Sequence, residues 1–234
     1  MPTLLAGCDF SSSPSRRKPI VFATGALDRG RVQLLGFERV ETLAGFSEWL
    51  LRDQPWLCGF DLPLGLPREL VQALGWPGDW LACMRHYAGL SREDIRQQFA
   101  AFCDARPVGG KFAHRATDAP AGSSPSMKWV NPPVAYMLHA GVPRLIEAGV
   151  HLPALHPLEA ARAAAPHTAH LSERVGLEAY PGLLARELLQ ATGNARRSYK
   201  NDAKALQTAE RLIARKDMIT ALEHGQTRLG LRVK

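Results

Sequence analysis

The segment 55–67, Pro-Trp-Leu-Cys-Gly-Phe-Asp-Leu-Pro-Leu-Gly-Leu-Pro, constrains the fold of this chain more than any other stretch. Its first half has the apolar residues of a buried strand, whereas the prolines and glycine that follow cannot lie inside one. The strand is therefore predicted to end at Asp61. A carboxylate at the end of a buried strand costs free energy unless it caps the next turn or binds something.

The same local pattern, an acid two residues after a glycine, ends three strand-like segments. They are Gly7-Cys8-Asp9, Gly59-Phe60-Asp61 and Gly176-Leu177-Glu178. Because side chains alternate along a strand, the glycine and the acid share one face. The missing side chain leaves room beside the carboxylate for a close neighbour, a metal ion or the backbone of a ligand.

If the three strands are neighbours, Asp9, Asp61 and Glu178 converge at one end of a sheet. Three carboxylates without cations between them cannot all stay ionised cheaply, and a divalent ion resolves the conflict. Carboxylate and water oxygens favour Mg²⁺ or Mn²⁺. Two such ions, about 3.5 to 4 Å apart, activate a water and stabilise the leaving oxygen of a phosphodiester. The alternative is that these acids cap turns at separate places.

The first sixty residues predict an α/β layered sheet of mixed direction. A strand is expected within 4–10, ending at Asp9, and two more over 20–23 and 31–37, joined through Gly25, Asp28 and Gly30. Thr42 is expected to cap a helix before the strand that ends at Asp61.

The remaining chain is mainly helical in pattern. Ser91 and Asp94 resemble a capping box, 105–126 has the composition of a long loop, and a helix is expected after Pro133. A strand is predicted to end at Glu178, followed by a helix. Asp202 is expected to cap a last helix over 203–224, with Leu206, Ala209 and Ile213 facing the core and Lys204, Arg211 and Arg215 on the opposite side.

Composition narrows the function classes. With 234 residues, 46% of them hydrophobic, the chain can bury one good core, and it shows no signal peptide and no membrane span. The four cysteines lack metal-ligand spacing, which predicts core thiols in a cytoplasmic protein.

Two short segments do not match the catalytic motifs that they resemble. Gly109-Gly110-Lys111 is not a P-loop, and Ser11 to Ser13 lack a nucleophile elbow.

The positive charge of the chain is concentrated near its end. Residues 195–234 contain ten Lys or Arg against four Asp or Glu, whereas the rest of the chain has nineteen against eighteen. A local basic surplus indicates a polyanionic partner, with DNA and RNA equally compatible.

Several segments together resemble one known family. They are Gly7 to Asp9, Gly59 to Pro67, Lys128 to Pro133, Glu178 to Pro181 and Ser198 to Lys200. In this order they are similar to the signature blocks of domain of unknown function 429, a bacterial and archaeal family described as a predicted nuclease of RNase H fold.

The resemblance implies a single RNase H-like domain over 1–234: a five-stranded mixed sheet with helices on both faces and a helical insertion after the fourth strand, at about 68–170. It implies that Asp9 and Asp61 bind metal, with Glu178 at the next strand end. Lys128 and Lys200 match lysine positions of the family, and with Arg197 and Lys204 of the basic region they are the predicted phosphate contacts.

One departure from the family pattern concerns the end of the chain. RNase H-like nucleases usually complete the metal site with an acid from a final helix, which is absent after Leu229. Either the chain is a truncated version, or Glu178, Asp202 or Asp217 substitutes.

Three functions are compatible with these features of the sequence. The first is a metal-dependent phosphodiester hydrolase acting on nucleic acid. The second is a nucleic-acid-binding module without hydrolysis. The third, less favoured because serines stand where a glycine-rich loop is required, is an ATP-dependent phosphotransferase.

Overall fold

The structure is a computed structural model that describes residues 3–164, 174–191, 199–200, 207–228, 230 and 232–234. These residues form six strands and nine helices. The strands are β1 (Leu4–Asp9), β2 (Ile20–Asp28), β3 (Arg31–Val40), β4 (Trp56–Asp61), β5 (Arg174–Glu178) and β6 (Arg232–Val233). The helices are α1 (Leu43–Leu50), α2 (Arg68–Ala73), α3 (Trp80–Ala88), α4 (Arg92–Asp104), α5 (Asp118–Ala121), α6 (Val134–Glu147), α7 (Leu158–Ala164), α8 (Pro181–Ala191) and α9 (Ala209–Glu223).

The strands form one mixed sheet in the order β5-β4-β1-β2-β3-β6. β1 and β5 both run parallel to β4, and β6 runs parallel to β3. Arg29 and Gly30 both have positive φ and join β2 to β3 in a two-residue turn, the geometry of an antiparallel hairpin. The predicted α/β class and mixed sheet are confirmed. The prediction of five strands is wrong, since β6 is too short to leave a periodic pattern and forms only by pairing with β3.

The predicted strand ends at Asp9, Asp61 and Glu178 are all found. The hairpin is longer than predicted, because β2 continues through Gly25 instead of turning there. A Cβ at Gly25 would lie 2.8 Å from the backbone oxygen of Gln33, so only glycine allows the strands to pass this closely.

One compact unit comprises residues up to 24 and 37–179. Its core includes stacked Phe22 and Trp49, with ring centroids 3.8 Å apart, and Trp56. Thr42 caps α1 as predicted, accepting a hydrogen bond from the Gly45 amide at 3.0 Å. All four cysteines are buried and free, which confirms the prediction of core thiols.

Six helices, α2 to α7, separate β4 from β5, which confirms a helical segment after the fourth strand. The predicted capping box of α4 is present: Ser91 and Asp94 each accept a hydrogen bond from the backbone of the other. α3 packs on α6, where the Tyr87 hydroxyl donates to the Ala135 carbonyl oxygen at 3.0 Å. None of the helices that the structure describes is both long and apolar enough to cross a membrane.

The second compact unit comprises 25–36 and 180–234 and contains α8, α9 and β6. α9 begins at Ala209 and is capped by Thr208, so the prediction of one continuous helix over 203–224 is wrong. Asp202, its predicted cap, lies outside the described residues. The predicted core positions Ala209 and Ile213 are wrong, because both are exposed, Ile213 by 47%, whereas Ala214 and Ala221 are buried. Leu206, the third predicted core position, lies outside the described residues. α9 packs on α8 and on β6.

Candidate functional site

Asp9 and Asp61 are the last residues of β1 and β4 and are register partners, as are Gly7 and Gly59 two residues earlier. Paired residues on neighbouring parallel strands face the same side, so both carboxylates lie on one face at the carboxyl end of the sheet. Asp9 is exposed and Asp61 is half-buried. A Cβ at Gly7 would meet no atom within 4 Å, so the face that carries the Asp9 side chain has open space two residues earlier, at Gly7.

Cys8 precedes Asp9 but points to the opposite, buried face. Burial raises the pKa of the Cys8 thiol, and the charges of Cys58, Asp9 and Asp61 raise it further. The thiol therefore stays protonated and is no candidate nucleophile.

Glu178 lies at the same end of the sheet, but its register differs by one residue. Glu178 pairs with Phe60, and Gly176 pairs with Cys58. The glycine and the acid of β5 are therefore offset by one residue from Gly59 and Asp61 on β4. A shift of one residue turns a side chain to the other face. The structure thus brings Asp9 and Asp61 together on one face and places Glu178 on the other.

The Glu178 carboxylate is held by three hydrogen bonds. Arg115 donates from Nη1 to Oε2 at 2.8 Å and from Nη2 to Oε1 at 2.7 Å, and the Leu64 amide donates to Oε2 at 2.9 Å. Arg115 also donates to Oδ1 of Asp118, from Nε at 3.0 Å and from Nη2 at 2.8 Å. These contacts join the long loop of 105–126 to the end of β5 and to the turn after β4.

The three motif glycines have different surroundings. Gly7 faces open space, whereas a Cβ at Gly59 would lie 3.2 Å from the Ala179 Cβ. At Gly176 it would lie 2.8 Å from Leu152 and 3.0 Å from Val150. The space beside Gly176 is therefore occupied by core side chains rather than left open for a ligand.

The predicted phosphate contacts are spread along the chain. Lys128 is half-buried just before α6, and Lys200 is exposed, with its Nζ 5.8 Å from the centre of the Tyr199 ring. Arg197 and Lys204 lie outside the described residues. Arg215 Nε, on α9, donates to the Tyr199 carbonyl oxygen at 2.8 Å.

Two arginines with a clear structural role at this end of the sheet were not predicted. Arg115 had one local signal, Asp118 three residues later, but its bond to Glu178 spans 63 positions. Arg92 at the start of α4 donates to the Ser12 carbonyl oxygen at 3.1 Å and to Ser13 Oγ at 3.3 Å. It thereby holds the loop that follows Asp9.

Among the described residues, no group of three or more His, Cys, Asp and Glu side chains is placed to hold a metal ion. Asp9 and Asp61 are thus a pair of carboxylates without a third such ligand in that part of the chain.

Comparison of the chain with protein-family models, curated proteins and solved structures gave no match. The resemblance to domain of unknown function 429 therefore stays a prediction.

Proposed function

We propose that this protein is a metal-dependent phosphodiester hydrolase acting on nucleic acid, with Asp9 and Asp61 as ligands of Mg²⁺ or Mn²⁺. The observation that carries the proposal is the register pairing of these two acids at the carboxyl ends of neighbouring parallel strands. Acids on the first and fourth strands are also what the family resemblance implies.

The donor set fits such an ion. Neighbouring strands lie about 4.8 Å apart, so two carboxylates on one face can reach a common cation. Mg²⁺ needs only one or two protein carboxylates, because water and substrate phosphate oxygens supply its other ligands. When bound, a divalent ion activates a water and stabilises charge on the leaving oxygen.

The residues of the chain have separate tasks in this proposal. Asp9 and Asp61 hold the cation, with the open space beside Gly7 available to a phosphate. Glu178 acts as a positioning residue, since it fixes the turn after Asp61 through the Leu64 amide and lies on the other face. Lys128 and Lys200, with the basic surplus of 195–234, support nucleic acid as the substrate.

The test is cleavage of labelled single- and double-stranded DNA and RNA, with Mg²⁺ and with Mn²⁺. Asp9→Asn and Asp61→Asn should each reduce cleavage by about 100-fold or more. Asp104→Asn is the matched control, because Asp104 is 77% exposed and distant in sequence from both acids.

Cleavage that survives in Asp9→Asn, or no cleavage of any substrate by the wild type, would contradict the proposal. Salt-sensitive binding by the wild type without cleavage, unchanged in Asp9→Asn, would support the nucleic-acid-binding module instead.

A further inference from the structure

A cavity of about 980 Å³ lies in the first compact unit, and neither Asp9 nor Asp61 is among its lining residues. Its walls come from the turn after β4, from α2 and α3, and from residues 114–117 of the long loop. Cavities of about 300 to 1,000 Å³ with mainly apolar walls are typical of sites for small organic molecules.

The apolar part of the wall is firmly held. Leu64, Trp80 and Met84 contribute to it, and Leu64 and Met84 are buried. The Trp80 indole donates from Nε1 to the Leu64 carbonyl oxygen at 2.7 Å, which fixes the orientation of the ring. A fixed indole gives a planar ligand a surface to stack on at little cost in conformational entropy.

The cavity wall also contains charged side chains, of which some have an ion-pair partner and others do not. Its two acids each have an arginine partner: Glu69 pairs with Arg106, and Glu178 pairs with Arg115. Arg68 and His114 also line the cavity, and within the described part of the chain neither has an acid partner. Arg68 is therefore a guanidinium without an acid partner in the described part of the chain, and it stands beside an apolar surface.

We propose that this cavity binds a small organic anion, with a planar apolar body against Trp80 and Met84 and an anionic group, carboxylate or phosphate, near Arg68. The cavity shares Glu178 with the proposed hydrolase, but neither Asp9 nor Asp61 lines it, and neither acid is changed in its test.

The experiment is a fluorescence titration of the full chain with anilinonaphthalene sulfonate, a planar aromatic anion. We expect one saturable site, with binding about 10-fold weaker in Arg68→Gln. Arg85→Gln is the matched control, because Arg85 is an exposed arginine on α3 that does not line the cavity. Equal binding by the wild type and Arg68→Gln would overturn the proposal.

A second variant separates the cavity from other apolar surfaces that bind the dye. A Cβ at Gly78, in the cavity wall, would meet no atom within 4 Å, so Gly78→Phe places the first atom of a large side chain in open space and is designed to fill the cavity. It should abolish binding while the thermal unfolding midpoint stays close to that of the wild type. Full binding in a folded Gly78→Phe protein would place the dye elsewhere and refute the site.

Competitors then identify the anionic group. Naphthoate and naphthyl phosphate carry the same planar apolar body with a carboxylate or a phosphate, and at least one of them should displace the dye. Inorganic phosphate at the same concentration should not, because it has no apolar body. If neither organic anion competes, or inorganic phosphate competes equally well, the proposed ligand class is wrong.

Discussion

Arg115 binds the Glu178 carboxylate with both of its terminal nitrogens and the fully buried Asp118 carboxylate with Nε and Nη2. Burial alone would lower the pKa of Arg115, but the hydrogen bonds that it donates to Glu178 and Asp118 raise it overall. One guanidinium thus neutralises two carboxylates from parts of the chain far apart in sequence. The long loop is anchored to the end of β5 by this contact.

Replacing Arg115 with Gln should destabilise the protein by about 3 kcal/mol, because it leaves the buried Asp118 charge without its cation. Urea unfolding followed by tryptophan fluorescence measures the change. Arg96→Gln is the control: Arg96 pairs with Glu93 on an exposed helix surface, and its loss should leave the unfolding midpoint unchanged. Equal behaviour of the two variants would show that the Arg115 cluster contributes no net stability.

Asp9→Asn should stabilise the protein by about 0.5 kcal/mol when divalent ions are removed with EDTA, because like charges opposite each other on neighbouring strands repel. Millimolar Mg²⁺ should raise the unfolding temperature of the wild type more than that of Asp9→Asn, since only the wild type has both ligands. Differential scanning calorimetry provides both values. The Asp104→Asn control keeps both ligands and should respond to Mg²⁺ as the wild type does. An equal rise of the unfolding temperature in Asp9→Asn would count against the metal site.

The glycines of β1 and β5 should differ in their tolerance of a methyl group. Gly176→Ala is expected to cost about 1 to 3 kcal/mol, because its Cβ would crowd buried Leu152 and Val150. Gly7→Ala faces open space and should change stability by less than about 0.5 kcal/mol. Chemical unfolding of the two variants side by side measures the difference. Equal costs would show that the core around Gly176 adjusts freely.

Stability should fall as the pH is lowered, in part through His139. Burial lowers the pKa of His139, and the nearby charges of Arg92 and Arg144 lower it further. The unfolded chain therefore binds the proton more readily, and the free energy of unfolding decreases as the pH falls through the ordinary histidine value of about 6.5.

Unfolding measured between about pH 7 and pH 5 tests this expectation. His139→Gln should lose less stability over that range than the wild type. The same change at exposed His224 should leave the pH dependence as it is in the wild type. An unaltered slope in His139→Gln would contradict the prediction.

Features set by neighbouring residues were predictable from the sequence. The ends of β1, β4 and β5 follow from apolar runs stopped by serine, glycine and proline, and the caps of α1 and α4 lie three residues from the amides they bind. The end of β2 was missed because Gly25 resembles a turn residue. Only the opposing backbone of β3 shows why a strand needs glycine there.

The sequence by itself determined that three strands each end in an acid two residues after a glycine. Only the tertiary structure decided how those acids face, because strand register depends on pairing between segments far apart in the chain. β1 and β4 pair their acids directly, whereas β5 is offset by one residue and turns Glu178 toward Arg115. Since side chains alternate at every residue, that single step separates one carboxylate from the other two.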